Sequence, residues 1–102
     1  MAKDIVGQIY LIHFDEPINP EHPARHYLGW ALDWQERFKN HNARLMQVAR
    51  ERGITCHVVR VWEGTRNDER RLKNRKNAPC LCPHCSPKPA PVSYLTPMEV
   101  SL

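Results

Sequence analysis

Arg37 and His41 stand four residues apart in the stretch HYLGWALDWQERFKNH, and on a helix that spacing puts a guanidinium and an imidazole on one face. Trp34 and Phe38 form an apolar stripe, and the cationic pair is expected to turn away from it. Alone, such a pair describes a solvated helix surface. Its company gives it chemical interest: Tyr10 in an early apolar run, Tyr27 just before a glycine, Glu69 near the start of a basic stretch, and Asn77 just beyond it. A guanidinium fork suits a phosphate, while imidazole, phenol and carboxylate can pass protons or hold a hard cation. Each residue also has a plain structural explanation. The tyrosines can be amphipathic core residues, Asn77 a helix C-terminal residue, and Glu69 half of an exposed pair with Lys73 contributing only about 0.3 to 0.5 kcal/mol.

The other reactive side chains are thiols. Cys80, Cys82 and Cys85 lie within six residues and Cys56 stands apart, unlike the dispersed framework of a small secreted domain, which predicts a reducing compartment. Cys82-Pro83-His84-Cys85 is a single CxxC, whereas zinc takes four ligands in a tetrahedral arrangement that adjacent residues seldom supply. Completing a Zn2+ site at Cys82 and Cys85 would need Cys80, His84 or Cys56. Reduced thiols in a tight loop are the expected state.

The elements that must position these groups follow from apolar spacing. Ile5 to Phe14, IVGQIYLIHF, is rich in β-branched and aromatic residues on both alternating faces, which predicts a strand covered on both sides. Residues 15 to 25 hold three prolines and several charges and predict an outward loop, after which residues 26 to 31 pair back as a short strand. Asp33 and Glu36 resemble a capping box, and Trp34, Phe38, Leu45 and Ala49 form a helical stripe. Asn40-His41-Asn42 predicts a bend between two helices, with Asn42 capping the second and Gly53 ending it. Ile54 to Trp62 reads as a strand with Val58 and Trp62 on one face and Val59 and Val61 on the other. Thr65 opens a second capping signal, and the helix after it has Leu72 as its anchor and six basic residues, Arg66, Arg70, Arg71, Lys73, Arg75 and Lys76. From Ser86 the sequence is proline-rich and aperiodic, which predicts a flexible tail over residues 86–102. The sum is an α+β domain over residues 1–85, a small three-stranded antiparallel sheet flanked by helices.

A chain of 102 residues buries one modest core, and fifteen Lys and Arg against eleven Asp and Glu give a net charge of +4, which favours a polyanionic partner. The start MAKDIVGQ lacks a signal peptide's apolar core, and no apolar run approaches bilayer length, so a soluble cytoplasmic protein with no membrane partner is expected.

The order of these residues resembles the GIY-YIG nuclease family, named for two short motifs on neighbouring strands followed by an arginine-bearing helix. Gln8-Ile9-Tyr10 stands for the first motif, with Gly7 displaced by one position, and Tyr27-Leu28-Gly29 for the second, with leucine replacing isoleucine. Arg37, eight residues after Gly29, falls at the family's arginine, and His41 where several members carry a histidine. Glu69 matches the metal-binding glutamate of the last core helix, and Asn77 the closing asparagine, with Asn74 as its competitor. The resemblance spans residues 7 to about 77.

It implies a metal-dependent endonuclease hydrolysing DNA phosphodiester bonds, with Tyr10, Tyr27, Arg37, His41, Glu69 and Asn77 as catalytic residues and Mg2+ or Mn2+ on Glu69. Arg25, Arg44, Arg66, Arg70, Lys73 and Lys76 would then hold the DNA backbone. In this scheme Tyr10 activates the attacking water with help from His41, Arg37 faces the scissile phosphate, and Tyr27 hydrogen-bonds water or phosphate. The chain would act as a monomer or a homodimer, with a protein partner open to its C-terminal tail. The alternative is a non-catalytic nucleic-acid-binding protein, or a zinc-stabilised interaction module, on the same fold.

Overall fold

The computed structural model describes residues 5–18, 25–40 and 44–100, without the side chains of Arg44 and Leu45. His41 and the expected Asn42 cap lie outside the described residues. Strands β1 (Gly7–Phe14), β2 (His26–Ala31), β3 (Cys56–Gly64) and β4 (Thr96–Met98) form one antiparallel sheet in the order β2-β1-β3-β4. Helices α1 (Trp34–Lys39), α2 (Arg44–Glu51), α3 (Arg66–Asn74) and α4 (Ala78–Leu81) flank it, so the α+β class holds.

The central strand explains the layering. On β1, Tyr10, Ile12 and Phe14 face one way and pack with Trp34 of α1 and with Met46 and Ala49 of α2. Ile9 and Leu11 face the other way and join Leu28, Trp62, Leu72 of α3 and Leu81 of α4. Both faces of the strand are therefore buried, as its apolar run required.

Two expectations are corrected. The sheet has a fourth strand, because the proline-rich segment is not a free tail throughout: Val92 and Leu95 are buried in the second core, and Thr96–Met98 pairs with β3. Pro97 sits in that edge strand, a place where a missing N–H is tolerated. The segment is tied down further by the Arg60 guanidinium, which donates to the Ala90 carbonyl at 2.7 Å.

The second correction concerns β3. Leu11 pairs with Arg60 but Ile12 pairs with Val58, so Val59 is an extra residue in a bulge. The bulge moves Val58 and Val61 to one core and Val59 and Trp62 to the other, against the strict alternation read from the sequence.

Local signals set the helix ends. The Asp33 carboxylate accepts from the backbone N–H groups of Gln35 and Glu36, and Gly53, at φ +68°, closes α2 with a bond from its N–H to the Arg50 carbonyl while the Ile54 N–H reaches Ala49. Thr65 and Asp68 form a reciprocal capping box at the head of α3. Among the described residues no helix is long and apolar enough to cross a membrane.

Candidate functional site

Because β2 is an edge strand, α1 and α3 can both reach around it, and the space between them is a cleft of about 350 Å³. Tyr10 comes from β1, Tyr27, Gly29 and Trp30 from β2, and Arg37 from α1. The basic helix α3 supplies Arg66, Glu69, Arg70 and Lys73. Tyr10, Tyr27, Arg37 and Glu69, separated widely in the chain, thus line one cavity.

Each is held by a particular local device. Gly29 lies directly opposite Tyr10 in the β1–β2 register, and a Cβ at Gly29 would stand 2.5 Å from the Tyr10 hydroxyl oxygen. The motif glycine is therefore the seat of the tyrosine ring. Gly7 plays the same part for Trp30, whose Cζ2 would lie 2.6 Å from a Cβ there and whose indole N–H donates to the Gly64 carbonyl at 3.0 Å. The Gln8 side-chain oxygen accepts from the Trp34 backbone N–H at 2.7 Å and pins the start of α1 to the sheet, one turn before Arg37. The Thr65 and Asp68 box fixes the start of α3, so Glu69 enters the cleft from the first turn of a capped helix.

Gly29→Ala tests the seat. The added methyl must displace a buried tyrosine, and an overpacked site of this kind is expected to lose about 1 to 3 kcal/mol, read from urea unfolding.

The electrostatics are lopsided. Glu69 is the lone carboxylate among the residues lining the cleft, against Arg37, Arg66, Arg70 and Lys73. Lys73 places its ammonium 5.7 Å from the centre of the Tyr27 ring, and among the described residues no ion pair joins it to Glu69. Arg66 lies over Trp30 at 5.2 Å. Arg66, Arg70 and Lys73 share a helical face with Glu69, whereas Arg71 and Arg75 turn onto Tyr94 at 4.1 and 6.0 Å.

Burial pushes the Tyr10 phenol well above the ordinary tyrosine range; Tyr27 adds to the rise, Arg37 opposes it and Glu69 raises it slightly further. Tyr10 is thus held protonated near neutrality. Difference absorbance titrations of the wild type and Tyr10→Phe are expected to coincide up to about pH 10, because the phenol they differ by ionises only in stronger alkali. A difference developing below about pH 10 would contradict this assignment.

The remaining expected residues are distributed differently. Asn77 precedes α4 and lines a separate hollow of about 120 Å³ with His26, Lys73, Lys76 and Leu81. Its side-chain oxygen is buried without a hydrogen-bond partner. Asn74 ends α3 in an exposed position, and Arg25 sits beside His13 and His26, not in the cleft. Arg44 lies on α2 with its side chain undescribed, and His41 is outside the described residues.

Two residues that no sequence motif singled out are His13 and His26. They are register partners on β1 and β2, and Cys82 and Cys85 come to them. The ligand atoms of these four residues lie within 4.8 Å of one another and could hold a metal ion such as zinc. Neither Cys80, His84 nor Cys56 joins them, which corrects the sets considered from the sequence. His84 instead stacks on His13 at 5.1 Å. Burial keeps both His13 and His26 below the ordinary histidine range, so both rings are neutral near pH 7. The available signal was positional: the two histidines flank the 15–25 loop at matched ends of a strand pair.

No family model matches the chain, nor does any curated protein or solved structure.

Proposed function

We propose that the protein is a metal-dependent endonuclease that hydrolyses DNA phosphodiester bonds in the cleft between α1 and α3. The observation that carries this reading is the convergence of Tyr10, Tyr27, Arg37 and Glu69 on one cavity whose other charged lining residues are Arg66, Arg70 and Lys73. A solvated basic surface has no need of two phenols and a lone carboxylate at its centre.

Glu69 fits a hard divalent cation, since it brings a carboxylate oxygen into a cleft that also carries phenolic oxygens and is open enough to leave the ion its waters. Mg2+ or Mn2+ held there would, when bound, stabilise charge on a phosphoryl oxygen and the leaving oxygen. Arg37 presents a planar fork to the scissile phosphate and offsets the charge that grows in the transition state. Tyr10, protonated and seated on Gly29, orients the attacking water through its hydroxyl. Tyr27, under the Lys73 ammonium, adds a second hydroxyl for water or phosphate. Arg66, Arg70 and Lys73 follow the backbone on either side and make binding sensitive to salt.

The test is incubation of the purified protein with supercoiled plasmid in Mg2+, Mn2+ or EDTA. Nicked or linear product that requires the metal is expected. Salt-sensitive binding with no cleavage of supercoiled, linear or branched DNA in either metal would replace the proposal with a binding function.

A further inference from the structure

We propose that His13, His26, Cys82 and Cys85 form a tetrahedral structural Zn2+ site that clamps the segment after α4 onto the β1–β2 edge of the sheet. This holds whether or not the cleft cuts DNA.

Four of the six edges of the tetrahedron already have the lengths of an occupied site. His13 Nδ1 and His26 Nε2 lie 3.3 Å apart, Cys82 Sγ is 3.5 Å from His13 Nδ1, and Cys85 Sγ is 3.6 Å from His13 Nδ1 and 3.5 Å from His26 Nε2. A tetrahedral zinc ion with bonds of about 2.0 to 2.1 Å to nitrogen and about 2.3 Å to sulfur has edges of roughly 3.3 Å between nitrogens and roughly 3.5 Å from nitrogen to sulfur. All four measured edges agree to within about 0.1 Å.

The donor set selects the ion. Two thiols and two imidazoles suit zinc and not magnesium or calcium, which take oxygen ligands. None of the four cysteines is in a disulfide, so both sulfurs are available. Cys82 is fully buried and His13 nearly so, while the Cys85 N–H donates to the Cys82 carbonyl at 3.2 Å and closes the tight turn that presents both sulfurs on one side.

The surroundings support the ring that bridges the set. On its far side, His13 Nε2 lies 3.7 Å from the Asp15 carboxylate, which Thr55 and His57 hold in turn. A carboxylate behind a ligating histidine favours the ring electrostatically, here at a separation longer than a direct hydrogen bond.

The clamp joins residues far apart in the chain. His26 immediately precedes Tyr27 on the edge strand, and Cys82 immediately follows α4, so one ion fastens the strand that builds the cleft to the segment whose Val92 and Leu95 complete the second core. Closing so long a loop is where a metal clip is expected to matter most.

The full chain, purified without added metal, is expected to carry about one zinc per chain by elemental analysis. The fully substituted Co2+ form should show the visible bands of a tetrahedral ion with charge transfer from two thiolates. Cys80→Ser and His84→Ala should keep the metal, and Cys85→Ser should lower its affinity by about tenfold or more. A thiol reagent should modify two cysteines in the native protein and all four after chelation. If Cys85→Ser is insoluble, the wild-type cobalt spectrum and thiol count decide. Zinc-free wild type whose cobalt form lacks thiolate charge transfer would overturn the site, as would metal lost in Cys80→Ser and retained in Cys85→Ser.

Discussion

Glu69→Gln is expected to lower the single-turnover rate of DNA cleavage by about 10³-fold, equivalent to about 4 kcal/mol of transition-state stabilisation. The substitution keeps the shape of the side chain and removes the one negative charge among the cleft-lining residues. DNA binding should therefore be unchanged or tighter, because four cationic groups remain without an opposing carboxylate. Stability should hardly move, since the cap of α3 rests on Thr65 and Asp68 and not on Glu69. This combination separates a metal-holding carboxylate from a structural one. Equal losses of binding and cleavage, or an unfolded variant, would assign Glu69 to the fold.

Arg37→Lys should cost about 10²-fold or more in cleavage with little change in melting temperature. Arg37 is exposed at the fourth position of a helix whose buried anchor is Trp34 and whose cap is Asp33, so neither packing nor capping depends on its guanidinium. The charge survives in lysine, but the planar pair of donors does not, and a phosphate approached by a point charge is held less well as its geometry changes. Removing one donor directed at a developing oxyanion commonly has an effect of this size. If lysine restores full activity to the site, Arg37 contributes only net charge, and the fork has no part in the chemistry.

Much of this arrangement was legible in the residues. The two-faced apolar run of β1, the Asp33 and Thr65 caps, and the Gly53 stop are local signals and are present, although Glu36 accepts from Asn40 instead of completing a box with Asp33. The grouping of Tyr10, Tyr27, Arg37 and Glu69 in one cavity was anticipated only through the family resemblance, since each residue taken singly has a plain structural explanation. Three features were not legible, for physical reasons. The Val59 bulge changes which side chains share a face without any change in composition, since every residue around it suits a strand. The β4 strand is three residues long and contains Pro97, so its pairing reflects the tertiary site offered by β3 and not its own propensity. The His13 and His26 partnership depends on strand register, a long-range property that a search for ligands near Cys82 and Cys85 passes over. Asn77 shows the limit of reading by motif order alone, because the turn into α4 carries it to the hollow beside His26.

The nuclease reading is tested most directly by cleavage in water enriched in oxygen-18. Wild type and Glu69→Ala, prepared identically, are incubated with end-labelled linear and branched DNA in Mg2+ or Mn2+, and the product ends are weighed by mass spectrometry. The account predicts metal-dependent cleavage by the wild type alone, leaving 3′-hydroxyl ends and 5′-phosphates that carry one oxygen-18 atom. Cleavage that persists at the wild-type rate in Glu69→Ala, or product phosphates without solvent oxygen, would contradict it.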